Sequence, residues 1–340
     1  MADNNYGLDI GSENIRISSL EGRTILSEKN VITIRDNKLI LGYTDEAYEM
    51  FEKAPENVDV VFPVENGSIS NIKRQQLILN YMYQKINHGK HDKNSNFLIS
   101  VPNDTAQVEK RAFYSICASP KIKPRNISMI DQPIADAIAC HLNVEDDNGN
   151  IIVNIGAGST NVSVIARGGI LFSKKIAVSG NHISEAIINA VKASQNKLIG
   201  MKMADLLKSR LCDLSDDADD AEMTLYARQM ASGLPVKTKV NSNIVNKAVK
   251  DSLRPLADVI VSIIEKTPLE ISEDIQTRGI YLVGGCANLI NIDVFLRKLI
   301  DVPVNILNDP SNSTIRGITK VLSSPIYDKY RYYPEERIFD

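Results

Sequence analysis

The feature that most constrains this chain is a strand, a glycine-bearing turn and a second strand, in an arrangement that occurs twice. Near the start, Tyr6-Gly7-Leu8-Asp9-Ile10-Gly11-Ser12 runs into Glu13-Asn14-Ile15-Arg16-Ile17-Ser18. Roughly 145 positions later, Ile151-Ile152-Val153-Asn154-Ile155-Gly156-Ala157-Gly158-Ser159-Thr160 runs into Asn161-Val162-Ser163-Val164-Ile165-Ala166, a spacing that points to duplication of a whole lobe. In each copy two β-prone runs flank small residues, which reads as a hairpin. A third strand, Gly279-Ile280-Tyr281-Leu282-Val283, also ends in glycines, Gly284 and Gly285.

Around these hairpins strands and helices alternate. Strands are expected at 31–34, 38–41, 97–101, 127–130 and 169–178. Helices are expected at 45–53, 74–86, 105–118 with Thr105 as N-cap, 133–142 with Pro133 in the first turn, 183–194, 203–211, 289–299 and 313–322. The segment 243–266 reads as a pair of helices separated by Pro255. An acidic loop is expected at 214–222 and a polar linker at 143–150. The aromatic and charged tail, 327–340, reads as loosely docked.

At 340 residues the chain has room for two lobes. A formal net charge of −3 lacks the basic excess of a nucleic-acid binder. No run of about 18 apolar residues is present, so no spanning helix is expected. The first six residues are polar, unlike a signal peptide. Cys117, Cys140, Cys212 and Cys286 are widely spaced, which suits a reducing, cytoplasmic setting. His88 and His91 share a polar stretch with no further ligands near them, so it reads as a solvated loop.

Glycine turns let a ligand approach the backbone, and successive N–H groups form an anion-holding nest. Two opposed hairpins can grip a polyphosphate, and a third turn leading into a helix can face a sugar and base. Asp9 adds a carboxylate suited to Mg²⁺, directly or through water. Neither GxxxxGK[ST] nor GxGxxG occurs, so the signal lies in the order and spacing of the three turns.

Those turns resemble the phosphate and adenosine motifs of the actin, Hsp70 and sugar-kinase superfamily. Asp9-Ile10-Gly11-Ser12 is similar to the first phosphate motif, 155–160 to the second, and Leu282-Val283-Gly284-Gly285 to the adenosine motif. Asp131-Gln132-Pro133-Ile134-Ala135-Asp136-Ala137-Ile138 looks like the first connecting helix. Within the superfamily the likeness is to MreB-type bacterial actins. It is carried by Val101-Pro102 with 107–112, by 184–188, by Gly233-Leu234-Pro235, and by 265–270 with Asp274-Ile275 and Arg278-Gly279.

The resemblance implies an α/β, actin-like fold of two lobes, each a mixed sheet flanked by helices, with a nucleotide cleft between them. The first lobe would be 1–148, with a small subdomain at about 32–70 and a helix at about 313–323 returning to it. The second would be 149–312, with a small subdomain at about 184–265. It implies ATP or ADP with Mg²⁺ near Asp9, phosphates near Gly11, Ser12, Asn14, Gly156, Ala157, Gly158 and Ser159, and adenosine near Lys208, Gly284, Gly285 and Cys286. Gln132 would orient the attacking water, with Asp9 and Asn154 beside it. It further implies a polymer of the chain itself that helps set cell shape by organising wall synthesis. Other MreB-type chains and wall-synthesis or membrane shape proteins would be partners, at the inner membrane face.

Several positions depart from the family pattern. Asn154 stands where aspartate is usual, and an amide lacks the charge that holds metal-bound water. Asn161 and Arg210 stand at usual glutamates, Asn181 at an aspartate, and Cys286 at the third adenosine-motif glycine. Hydrolysis is therefore expected to be weak. The family's membrane element has no clear counterpart: residues 1–6 are too short for an amphipathic helix, and the loop 87–96 offers Lys90 and Lys93 but no apolar wedge. Three other readings share the fold. A small-molecule kinase would need an acceptor pocket, and a chaperone-type ATPase a further domain after Leu322. A non-polymerising nucleotide-binding regulatory paralogue is favoured only by the departures at the site.

Overall fold

The computed structural model describes residues 4–20, 24–89, 94–103 and 105–333. Lys90, His91 and Lys93 of the basic loop, and the tail beyond residue 333, lie outside the described residues. Grouped by packing, the chain forms two units: 1–146 with 165–174 and 312–340, and 147–164 with 175–311.

In chain order the structure begins with β1 (Asn4–Ile10), β2 (Asn14–Ser19), β3 (Thr24–Lys29), β4 (Ile32–Arg35), β5 (Leu39–Tyr43), α1 (Thr44–Glu49), β6 (Val58–Val61), β7 (Val64–Glu65) and β8 (Ser68–Ile69). It continues through α2 (Ile72–Ile86), β9 (Ser95–Val101), α3 (Gln107–Cys117), β10 (Asn126–Asp131) and α4 (Gln132–Ala139). Then come β11 (Asn150–Ile155), β12 (Thr160–Ala166), β13 (Gly169–Ile176), α5 (Gly180–Gln195), β14 (Lys197–Leu198), α6 (Met201–Leu211), β15 (Glu222–Gln229), β16 (Pro235–Asn241), α7 (Ser242–Lys266), α8 (Leu269–Arg278), β17 (Ile280–Val283), α9 (Ile292–Ile300) and β18 (Val304–Ile306). The last helix, α10 (Ser313–Ser323), belongs to the first unit.

The duplication inferred from the hairpins extends to whole sheets. One five-stranded sheet has the order β10-β9-β1-β2-β3; the other, read from its far edge, is β18-β17-β11-β12-β13. In both, the strand that precedes the glycine turn sits in the middle. In both, its neighbour on the other side runs parallel to it, β9 to β1 and β17 to β11. Central strands are covered on both faces and so read as continuous apolar runs: Leu8 and Ile10 are buried in β1, and Ile151, Ile152, Val153 and Ile155 in β11.

Each unit has its own core. In the first, Leu8, Ile17, Ile78, Leu79, Met82, Phe97 and Phe113 pack together. In the second, Val153, Val164, Ile187, Val249, Leu256 and Leu282 do so. The helix α2 buries Ile78, Leu79, Met82 and Tyr83, spacings that share one helical face. It starts at Asn71, whose side chain accepts from the Arg74 N–H at 3.0 Å.

Several expectations need correcting. Pro255 does not divide its segment into a helix pair. It lies inside the single helix α7, where buried Leu253, Leu256, Ala257 and Ile260 hold both sides of it to one core, and packing outweighs the lost backbone hydrogen bond. Thr105 does not cap α3: Ala106 occupies the N-cap, and the Thr105 hydroxyl donates to the Pro102 carbonyl instead. The expected helix 45–53 ends at Glu49 and 133–142 ends at Ala139. The strand pair β15–β16 was not expected, nor was α8. Nor are the described residues of the tail loose: Tyr332 and Met129 exchange two backbone hydrogen bonds, at 2.8 and 3.0 Å. Among the described residues no helix is long and apolar enough to cross a membrane.

The helices α10 and α4 approach each other closely. A Cβ added at Gly317 would lie 1.8 Å from the Ala135 carbonyl oxygen. At this contact Ser313 and Thr314 donate to the fully buried Asp136 carboxylate at 3.0 and 2.7 Å. Gly317→Ala should therefore force the helices apart and destabilise the fold by about 1–3 kcal/mol, as overpacking does. The urea midpoint measures it; an unchanged midpoint would mean the helices do not approach this closely.

Candidate functional site

The two glycine turns have the same internal geometry. In the first, the Gly11 N–H donates to the Asn14 carbonyl at 3.0 Å; in the second, Gly156 donates to the Ser159 carbonyl at 3.0 Å. A Cβ at either glycine would meet that same carbonyl oxygen at 3.0 Å. In both, the glycine carbonyl is tied to the structure behind it. Gly11 O accepts from Asn30 Nδ2 at 2.8 Å, and Gly156 O from the Gly180 N–H at 2.9 Å. With those carbonyls committed, the tip of each turn has N–H groups to offer a ligand, and the pattern suits an anion.

In the first unit, Asp9, Gly11, Ser12 and Asn14 lie together at the β1–β2 turn. Asp9 is buried, and Arg16 on β2 places Nη1 3.2 Å from its Oδ2. Ser100 on β9 donates to its Oδ1 at 3.1 Å. Arg16 is held in turn by Asn312, its Nε donating to Oδ1 at 2.9 Å. Ser12 Oγ accepts from the Gly67 N–H at 3.0 Å, which links the turn to the β7–β8 hairpin and still leaves the hydroxyl proton to donate. Behind the turn, Gln75 Nε2 donates to Asn30 Oδ1 at 2.9 Å, so Gly11 rests on two buried amides. Gln132 opens α4 directly after β10. Because β1, β9 and β10 are parallel neighbours, it lies at the same carboxyl end of the sheet as the turn. Ligands of open α/β sheets gather at that end.

In the second unit, Gly156, Ala157, Gly158 and Ser159 lie at the carboxyl end of β11, and Gly284 at that of the parallel β17. The third turn is brought directly against the second. A Cβ at Gly284 would lie 2.6 Å from both Asn154 Oδ1 and the Ile155 carbonyl oxygen, and its φ of +88° favours glycine. Gly180, at the start of α5, fits between the two turns: a Cβ there would meet Cys286 Sγ at 3.1 Å and the Ala157 Cα at 3.3 Å. The Asn181 N–H donates to the Ala157 carbonyl at 2.9 Å. Lys208 reaches over from α6, its Nζ donating to the Gly180 carbonyl at 2.9 Å, Ser184 Oγ at 2.7 Å and Asp205 Oδ1 at 2.8 Å. Cys286 is buried, while Gly285 and Arg210 are exposed.

Sequence reasoning missed Arg16, Asn30, Gln75 and Gly180. Arg16 carried a local signal, a charge inside the alternation Ile15-Arg16-Ile17. Gly180 carried a weaker one, a Ser-Gly pair before a helix. Asn30 and Gln75 carried none, since their role depends on distant chain packing. Among the described residues there is no group of three or more His, Cys, Asp or Glu able to hold a metal by themselves. A divalent ion here would be held through phosphate and water, with one carboxylate beside it.

Residues 3–329 match the family model described as MreB/Mbl protein. The cell shape-determining protein Mbl of Bacillus subtilis is 28% identical over 319 residues, covering 94% of this chain and 95% of the relative. The cell shape-determining protein MreB of Escherichia coli K12 is 28% identical over 328 residues, covering 95% and 94%. Among solved structures, MreB5 of Spiroplasma citri bound to ADP superposes with a TM-score of 0.89 at 24% identity, covering 96% of this chain and 98% of that one. The same protein bound to AMPPNP gives 0.90, covering 97% and 98%. A MamK double helical filament gives 0.77 at 18% identity, covering 94% and 99%. The fold is therefore actin-like, two-lobed α/β with mixed sheets flanked by helices, and the chain belongs to the MreB/Mbl family.

Proposed function

We propose that this chain is an adenine-nucleotide-binding, filament-forming cytoskeletal protein that helps determine cell shape by organising wall synthesis, and that it hydrolyses ATP slowly. The observation that carries the reading is the matched pair of turns. Each has its glycine N–H closed onto the third residue along, its glycine carbonyl tied down behind, and room that a Cβ would take. The family and the nucleotide-bound MreB5 structures support it.

In this reading the N–H groups at the tips, Ser12 and Asn14 in the first turn and Ala157, Gly158 and Ser159 in the second, hold the phosphates. Gly284, Gly285 and Cys286, with Lys208 behind them, shape the adenosine side. Asp9 stands beside Mg²⁺ through its water shell, with Arg16 sharing its charge. A metal held there would neutralise phosphate charge. Gln132 orients a water, its amide accepting and donating without titrating. The test is thermal: saturating ATP–Mg²⁺ should raise the melting temperature by mass action. An unchanged melting temperature and an unchanged tryptic pattern would sink the reading.

Polymerisation belongs to the same proposal, supported by the MamK filament structure and by the names of the curated relatives. Head-to-tail contacts are heterologous, do not close and so propagate. Light scattering should rise above a threshold protein concentration with ATP. Scattering that stays flat across a wide range, with and without ATP, favours the second reading, a non-polymerising nucleotide-binding regulator. Asn154 and the Arg16–Asp9 ion pair are the observations on that side. Association with other MreB-type chains, wall-synthesis proteins or the membrane face extends the proposal from the family alone.

A further inference from the structure

The described part of the tail pairs with the strand that leads into Gln132. After α10, a 3-10 turn over Pro325–Tyr330 brings the chain back to β10, the edge strand of the first sheet. Tyr332 and Met129 form an antiparallel bridge with both backbone hydrogen bonds made. Further ties fix the approach. Arg331 Nη2 donates to the Val321 carbonyl at 2.5 Å, Lys329 pairs with Glu145 at 2.7 Å, and Tyr330 donates to the same carboxylate. Lys110 Nζ lies 4.8 Å from the centroid of the Tyr332 ring.

The hydroxyl of Tyr332 then does something packing does not require: it donates to Asp131 Oδ1 at 2.9 Å. Asp131 is the N-cap residue of α4, the position where an aspartate normally turns its carboxylate onto the first N–H groups of its own helix. Here it makes no such cap. The tail holds the carboxylate instead, one residue before Gln132. Burial and the neighbouring carboxylate push the Tyr332 phenol above its ordinary pKa, so it remains a donor throughout the physiological range.

We propose that Tyr332 is a positioning residue for Gln132: by holding the Asp131 carboxylate, the docked tail fixes the β10–α4 turn in the orientation that water activation needs. The proposal rests on the ATPase reading above. With the hydroxyl removed, the Asp131 carboxylate loses the contact that ties it to the tail, and the turn carrying Gln132 is no longer held in one orientation. Nucleotide binding, which depends on the glycine turns, should be spared.

The experiment uses the full chain and compares phosphate release by wild type, Tyr332→Phe, Asp131→Ala and the double variant. Phenylalanine keeps the ring, the ladder bonds and the Lys110 contact. Tyr332→Phe should lower kcat about tenfold, the size expected for a hydrogen bond to a charged group, with KM for ATP unchanged and the nucleotide-free melting temperature lowered by no more than a few degrees. The two single losses should not add, since both break one contact. An unchanged kcat, additive losses, or a kcat loss matched by equal falls in ATP affinity and melting temperature would each overturn the proposal. A wild type that releases no phosphate would overturn it too. The ATP-induced rise in melting temperature, measured on the same samples, then reports separately whether nucleotide binding stands.

Discussion

Gly156→Val should abolish the rise in melting temperature that ATP–Mg²⁺ is expected to give the wild type. At a free ligand concentration 100 times Kd, binding to the folded state stabilises it by about 2.7 kcal/mol, so the expected effect is the loss of that whole increment. A Cβ at this position stands 3.0 Å from the Ser159 carbonyl oxygen, and valine adds two methyl groups beyond it. The Ser159 carbonyl must give way by a few tenths of an ångström, which strains the bond from the Gly156 N–H and moves the neighbouring N–H groups out of register. The strands on either side are held by the sheet, so the unliganded protein should lose less stability than the liganded one. Gly169→Val is the matching control, because a Cβ there meets nothing within 4 Å. It should keep the full ATP response. Gly11→Val should behave as Gly156→Val does, given the same 3.0 Å approach to Asn14. A Gly156→Val protein with a wild-type response to ATP would show that this turn does not hold phosphate.

What was legible in the sequence was what short stretches decide. The hairpins at Gly11 and Gly156 declared themselves because apolar strands and small turn residues are adjacent in the chain. The order of strands in each sheet was not legible, because it depends on which distant segments pair. The hairpin β15–β16 was hidden because its inward positions are few: Leu225, Ala227, Thr238 and Val240 face the core, while Thr224, Tyr226, Lys237 and Lys239 are exposed. Gly233-Leu234-Pro235, which carried the family likeness, lies at its turn. The helix α7 was misread because proline's local penalty is plain in a sequence while its burial partners are not. At the site, the glycine turns were legible and their supports were not. Arg16 could be suspected from its place in a strand, but its pairing with Asp9, Asn30 under Gly11, and Tyr332 on Asp131 all depend on how the chain folds.

Asn154→Asp should speed phosphate release by up to about 10²–10³, the range that one well-placed electrostatic group contributes to a transition state. Asn154 lies near the end of β11, is buried, and stands beside the Gly156 turn with its Oδ1 facing Gly284. Asparagine and aspartate have nearly the same shape, so the substitution changes charge and hydrogen-bond sense with little repacking. A carboxylate at that place would accept hydrogen bonds only and would so orient metal-bound water and the nucleophile; an amide presents a donor on one side. Binding should change far less than rate, because in the proposed function phosphate holding falls to the N–H groups of the turns. The same measurement weighs the other unusual charge. Arg16 sits 3.2 Å from Asp9 and draws on the negative charge that a metal's water shell would use. If Asn154→Asp is silent while Arg16→Leu accelerates release, the limit lies at the first turn. If wild type already turns over briskly and neither substitution alters it, Asp9 and Gln132 suffice and slow hydrolysis is the wrong reading.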